Sequence, residues 1–132
     1  MHIDHVGIAV EDLEAAIKTY ETILATECYK RETVESQKVE TAFFRTGQSK
    51  VELLAATEPG SVIAKYVEKR GEGMHHVAFE VEDIRREMQR LRKEGFTLLN
   101  EEPSAGADNK WVAFVHPKDT RGVLIELCQS RD

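Results

Sequence analysis

The chain has 132 residues, of which 41% are hydrophobic and 32% are charged, a balance typical of one folded globular domain. Its formal net charge of −6 argues against binding to nucleic acids or to anionic membranes, both of which require a basic surface. No apolar run is long enough to span a bilayer and the N-terminus does not resemble a signal peptide, so we expect a cytoplasmic protein. Cys28 and Cys128 are then expected to be free thiols.

The predicted elements of the first half are a strand, a helix and three further strands. Asp12 suits the N-cap position of the helix, whose apolar residues Leu13, Ile17, Tyr20 and Leu24 would share one face. The segments with strand-like patterns are 5–10, 25–32, 38–45 and 50–55.

The second half repeats this order after a connecting segment. Residues 61–70 predict a linking helix, and the glycine-containing stretch 71–73 ends it. The run that begins at His76 matches the run that begins at His5 at an offset of 71 residues. The predicted strands of this half are 76–81, 96–100, 111–115 and 122–128.

The repeat predicts an α+β fold built from two βαβββ modules. The modules cover about residues 1–57 and 73–132, joined by the linking helix 61–70. Two small sheets in a chain of this length would most economically share one core, so we predict a single domain over 1–132.

In each half, the alternation of side chains along a strand places one histidine on the face opposite to the apolar residues. His5 shares its strand face with Gly7 and Ala9, whereas the alternate residues are apolar and must pack under the helix. His76 repeats this arrangement with Ala78 beside it. Each histidine is therefore predicted to point away from the helix, next to residues small enough to leave room.

One carboxylate interrupts an apolar strand near the end of each half, Glu52 in the first and Glu126 in the second. A lone carboxylate is costly to bury without a partner. Each of these groups has an ordinary alternative, since a strand histidine is commonly hydrogen-bonded and such a glutamate can face water at a sheet edge.

The repeat accounts for all four residues at once. We therefore predict that His5, Glu52, His76 and Glu126 converge on one divalent ion such as Zn, Co, Ni or Mn. The remaining histidines, His2, His75 and His116, are predicted to be structural, and His75 should face the helix.

With these residues, the chain resembles the vicinal oxygen chelate, or glyoxalase-like, superfamily and, within it, the methylmalonyl-CoA epimerases. The matching stretches are 3–10 (IDHVGIAV), 61–66 (SVIAKY), 71–81 (GEGMHHVAFEV), 112–118 (VAFVHPK) and 122–127 (GVLIEL). The resemblance implies a half-open, cup-shaped mixed sheet, a homodimer, and a metal on the four residues named above. It also implies an acyl-CoA substrate and interconversion of (R)- and (S)-methylmalonyl-CoA through a metal-stabilised enolate.

The resemblance further implies two carboxylates that move the proton. Glu126 matches one of them, so it would act as both ligand and base, and Glu40 aligns with the other in at least some epimerases. Glu40 shares a strand face with Ala42 and Phe44, and two alternatives are open for it, a side chain that points into the cup or a solvated charge beside Lys38.

Three rival functions remain at this stage. A glyoxalase I (lactoylglutathione lyase), or another metal-dependent isomerase of the superfamily, would use the same fold and similar chemistry. An extradiol dioxygenase is disfavoured, because Glu52 as a fourth ligand would crowd the positions needed for catechol and oxygen. A metal-free small-molecule binding protein is disfavoured by the complete ligand set.

Overall fold

The strands of the first half form a four-stranded mixed sheet. The computed structural model describes all 132 residues and divides into one unit of His5–His75 and another of Met1–Asp4 with His76–Asp132. The elements of the first half are β1 (His2–Ala9), α1 (Leu13–Leu24), β2 (Lys30–Val34), β3 (Val39–Thr46), β4 (Ser49–Ala56) and α2 (Val62–Arg70). In the order β2-β3-β4-β1, β1 runs parallel to β4 and the other pairs are antiparallel.

Helix α1 covers one face of this sheet. Its N-cap Asp12 accepts a hydrogen bond from the backbone N–H of Ala15, which satisfies one of the free N–H groups of the first turn. Leu13 and Ile17 are buried and pack in one cluster with alternate residues of β3 and β4. The cluster comprises Val10, Leu13, Ile17, Ala42, Phe44, Leu53 and Ala55.

The second unit repeats the arrangement. Its elements are β5 (Gly73–Glu80), α3 (Ile84–Lys93), β6 (Ser104–Gly106), β7 (Lys110–Val115) and β8 (Ile125–Ser130). The strand order is β5-β8-β7-β6, with β5 parallel to β8. Asp83 caps α3 as Asp12 caps α1, and the buried Ile84 and Met88 pack against Ala113 and Leu127.

Two of the predicted strands are corrected by the structure. The segment predicted at 25–32 becomes a strand only at Lys30, because Ala25 ends α1 in the left-handed region with φ 52°. The segment predicted at 96–100 makes a single bridge, Leu98 with Val115, and the regular strand is β6. Asn100 accounts for the break, since its side-chain oxygen accepts the N–H of Phe114 at 2.9 Å in place of a backbone carbonyl.

The predicted α+β class and the two βαβββ modules are confirmed. Between the two modules, α2 begins after its N-cap Ser61 and ends before Gly71. None of the three helices has the length and apolar character needed to cross a membrane.

Candidate functional site

The first unit holds a buried pair of His5 and Glu52. His5 lies in β1 and Glu52 in the neighbouring β4, and the imidazole Nε2 is 3.3 Å from the carboxylate Oε1. The Cα partner of Glu52 across the parallel ladder is Gly7. Because Gly7 has no side chain, the carboxylate and the ring have room to meet on the same face.

The second unit holds the equivalent pair, His76 and Glu126. His76 Nε2 of β5 lies 3.2 Å from Glu126 Oε1 of β8, and both side chains are buried. Ala78 is the Cα partner of Glu126, as Gly7 is of Glu52. The local geometry is therefore duplicated down to the small residue beside each carboxylate.

Each carboxylate is also flanked by a phenylalanine, a feature that the sequence analysis missed. Phe43 is the antiparallel partner of Glu52, and Phe114 is the antiparallel partner of Glu126. The ring of Phe114 meets that of His76 edge-on at 6.1 Å. The two phenylalanines are 71 positions apart, the same offset as the two histidines, so the repeat itself carried the signal.

The predicted strand faces are confirmed at the histidines. Val51 and Leu53, the neighbours of Glu52 in β4, pack in the α1 cluster, so Glu52 points to the opposite face. His75 lies edge-on against Tyr66 of the linking helix α2 at 4.8 Å, which is consistent with a structural role. His116 has a structural role, since its Nδ1 accepts the N–H of Lys118 at the start of a short 3-10 turn.

Of the two alternatives for Glu40, the structure supports the one in which its side chain does not share a face with Glu52. Ala42 and Phe44, which share its strand face, belong to the α1 cluster, so Glu40 is on the helix side of the sheet. Its carboxylate lies 2.9 Å from the guanidinium of Arg31, which also binds Glu14 of α1. The hydrogen bonds to Glu14 and then to Glu40 raise the pKa of Arg31, which stays charged. Glu40 thus ends in an ion pair on the face opposite to Glu52.

Within each pair, the donor atoms have a spacing that fits two ligands of a divalent ion. Two ligand atoms about 2.1 Å from an ion, at angles of about 90–110°, lie roughly 3.0–3.4 Å apart. The separations of 3.3 Å and 3.2 Å fall within this range. Imidazole and carboxylate are also the ligand types that Zn, Co, Ni and Mn accept.

The environment of Cys128 does not favour it as a further ligand. It is fully buried in β8 and packs with Ala78 and Val112. Burial raises the pKa of the Cys128 thiol well above its usual value, and the negative charges of Asp4 and Glu126 raise it further. A thiol binds a metal as the thiolate, which the raised pKa disfavours, so Cys128 is a core residue.

The second unit also contains a buried lysine with carboxylate partners. Lys110 Nζ lies 2.6 Å from Glu80 and 3.5 Å from Asp4. Burial alone would lower the pKa of Lys110, but the hydrogen bond to Glu80 and the charge of Asp4 outweigh it, so the pKa is raised. This ion-pair network joins β1, β5 and β7 of the unit.

Two βαβββ modules, each with a buried His–Glu pair on the sheet face away from its helix, form the duplicated arrangement predicted from the sequence. Residues 4–114 match the family described as the Glyoxalase/Bleomycin resistance protein/Dioxygenase superfamily, and the chain belongs to this superfamily.

The comparisons with individual proteins are close over nearly the full chain. The chain is 41% identical to the ethylmalonyl-CoA/methylmalonyl-CoA epimerase of Cereibacter sphaeroides, with 96% of each chain covered. It is 37% identical in sequence to methylmalonyl-CoA epimerase from Mycobacterium tuberculosis, whose crystal structure it matches with a TM-score of 0.93. The match covers 98% of this chain and 87% of the other.

A third comparison involves a bound acyl-CoA. A variant of the Streptomyces coelicolor methylmalonyl-CoA epimerase in complex with 2-nitronate-propionyl-CoA is 36% identical, with a TM-score of 0.96 and coverage of 100% and 99%. The predicted resemblance to this group of epimerases is confirmed.

Proposed function

We propose that the chain is a metal-dependent epimerase that interconverts (R)- and (S)-methylmalonyl-CoA. The observation that carries the proposal is the duplicated, buried His–Glu pair in a chain with epimerase relatives of nearly the same length. One divalent ion would be held by His5, Glu52, His76 and Glu126, with Co, Zn, Ni and Mn as candidates.

The chemistry required of the site follows from the substrate. The C–H between a thioester carbonyl and a carboxylate is weakly acidic, and its removal places negative charge on the carbonyl oxygen. A bound divalent ion supplies Lewis-acid stabilisation of that charge. The protein's part is to present the ligands on the sheet face away from α1 and α3, without crowding by neighbouring side chains. Gly7 and Ala78 beside the two carboxylates provide this space.

Glu126 is the proposed base. Its carboxylate is buried beside His76 and Phe114, an environment that excludes water from a proton transfer. Inversion also needs a proton to return from the opposite side of the carbon. The ion pair of Glu40 with Arg31 on the α1 face does not favour Glu40 for this step, so its catalytic role stays a prediction to be tested.

The decisive experiment supplies pure (R)- or (S)-methylmalonyl-CoA to purified protein in deuterated water. Deuterium at C2 together with inversion supports the proposal, and absence of both contradicts it. Ethylmalonyl-CoA is added in parallel, because one relative carries both substrates in its name. The glutathione hemithioacetal of methylglyoxal is the matched rival substrate, and turnover of that compound alone would instead indicate a glyoxalase I.

Metal dependence is tested separately from the reaction. Protein purified without chelator is analysed for bound metal, then stripped and reconstituted with Co, Zn, Ni or Mn. Loss of epimerisation on stripping and recovery with one or more ions are expected. The proposed homodimer is tested by light scattering on the same preparations, where a mass twice that of the 15.0 kDa chain is expected.

A further inference from the structure

Lys50 is a buried cation on the same sheet face as the first His–Glu pair. It lies in β4 two positions before Glu52, and only 7% of it is exposed. Successive side chains of a strand alternate between faces, and Val51 between them packs on the α1 side. His5 is the Cα partner of Lys50 across the parallel ladder, so the ammonium arises directly beside His5.

The side chain of Lys50 leans along the strand toward Glu52. Its Nζ lies 5.7 Å from the centroid of the Phe43 ring, in a cation–π contact. Phe43 is the antiparallel partner of Glu52, not of Lys50, which is paired with Arg45. The ammonium group therefore lies beside Phe43, the residue that is paired with the candidate ligand Glu52.

This lysine is absent from the other half of the repeat. Aligning Glu52 with Glu126 places Leu124 at the position of Lys50, although the His, Glu, Phe and small residues of the two halves all correspond. The duplicated ligands would serve any substrate that chelates the ion through two oxygens. A single added cation suits a substrate whose two ends differ in charge.

We propose that Lys50 is a specificity-determining residue that binds the free carboxylate of a malonyl-type acyl group. The inference rests on the proposed epimerase function and deepens it. A methylmalonyl thioester has an anionic carboxylate on one side of the reacting carbon and a neutral thioester on the other. The ammonium of Lys50 distinguishes these ends and selects dicarboxylic acyl thioesters over simple ones such as propionyl-CoA, which lack the carboxylate.

The test compares Lys50→Met, which keeps the length but not the charge, with Lys50→Arg, which keeps the charge. A hydrogen-bonded charge pair of this kind corresponds to about 10- to 100-fold in binding. Lys50→Met is therefore expected to raise KM for methylmalonyl-CoA by about 10- to 100-fold, with a smaller change in kcat, whereas Lys50→Arg recovers most of the loss. Lys65→Met, at an exposed lysine of α2 in the same unit, is the control for simple loss of charge.

The ratio of the affinities for malonyl-CoA and propionyl-CoA measures the contribution of the substrate carboxylate to binding. Dissociation constants of malonyl-CoA and propionyl-CoA are measured for each protein by calorimetry, and Lys50→Met is expected to reduce the preference for malonyl-CoA by about the factor seen in KM. The methylmalonyl thioester of pantetheine, which has no nucleotide phosphates, should show the same rise in KM. If the effect disappears with this truncated thioester, Lys50 binds a CoA phosphate and the proposal is overturned.

An unchanged KM and an unchanged malonyl-CoA to propionyl-CoA ratio in folded, metal-loaded Lys50→Met also overturn the proposal. If Lys50→Met does not fold, Lys50→Gln supplies the neutral variant for the same comparison with Lys50→Arg. The proposed function fails independently, by absence of epimerisation in the unmodified protein, and the two dissociation constants, which need no turnover, still decide the role of Lys50 in that case.

Discussion

The adjacent histidines His75 and His76 provide a matched test of the metal proposal. His76 Nε2 faces Glu126 at 3.2 Å, while His75 packs edge-on against Tyr66 of α2. Replacing either by alanine removes one imidazole from the same strand, and only His76→Ala removes a proposed ligand. His76→Ala is therefore expected to lose metal, and His75→Ala is expected to retain it.

The size of the effect follows from linkage between metal binding and folding. An ion present at 100 times its Kd stabilises the native state by about 2.7 kcal/mol. For a chain of 132 residues this corresponds to a rise in Tm of about 8–10 °C. Substitution of a residue that only hydrogen-bonds to a metal ligand already lowers the affinity for the metal by about 10- to 100-fold. Loss of a ligand itself should therefore remove most of this shift in Tm.

The assay is thermal unfolding of each variant with excess metal and with chelator. The quantity compared is the metal-dependent shift within one variant, since both substitutions also remove packing and lower the absolute Tm. Metal content of the purified proteins provides an independent readout. Equal shifts in His75→Ala and His76→Ala would refute the assignment of strand faces, and no shift in the unmodified protein would refute the metal site.

Three further outcomes are expected. Glu126→Gln should lower epimerisation by about 10²–10⁴-fold, measured as inversion in deuterated water, because glutamine cannot take up the proton. Glu40→Gln should leave turnover within about twofold, and a loss approaching 100-fold would restore Glu40 as the second acid–base group. Lys110→Met should lower the free energy of unfolding by about 2–4 kcal/mol in denaturant titrations, because it leaves Asp4 buried without its ammonium partner. Since the folded-state pKa of Lys110 is raised, its contribution should be complete below about pH 10 and lost at higher pH, and Lys110→Met should lack that alkaline loss.

The sequence predicted the faces of the two His–Glu pairs because their strands have one apolar face. In β1, the residues alternating with His5 are apolar and must lie under α1, so the direction of His5 followed from the pleat. Because the second half repeats the first, the same argument predicted the direction of His76. The N-caps Asp12 and Asp83 marked the start of each helix. These are local rules, and each of them held.

The face of Glu40 was not predictable in this way. Strand β3 is buried on both faces, with Phe43 on the ligand side and Phe44 on the helix side. Its apolar residues Ala42, Phe43 and Phe44 are consecutive, so no alternation marks the inner side of the strand. The ion pair with Arg31 depends on contacts between separate elements, which a single sequence does not display.

The break in the strand predicted at 96–100 has a similar origin. A side-chain amide competes with backbone carbonyls for N–H groups, and Asn100 takes the N–H of Phe114. The asparagine is visible in the sequence of the segment, but the sequence pattern does not show which N–H group will donate a hydrogen bond to its side chain.

The outermost strands of the two sheets have a consequence for the solution behaviour of the protein. An uncovered strand edge is a template on which further chains can add and grow into aggregates. Strand β2 carries the charged run Lys30, Arg31 and Glu32, and β6 is only three residues long and follows Pro103. Charges, short length and proline each discourage backbone pairing with another chain. These features of the two strands would disfavour fibrillar growth by addition of chains at either edge.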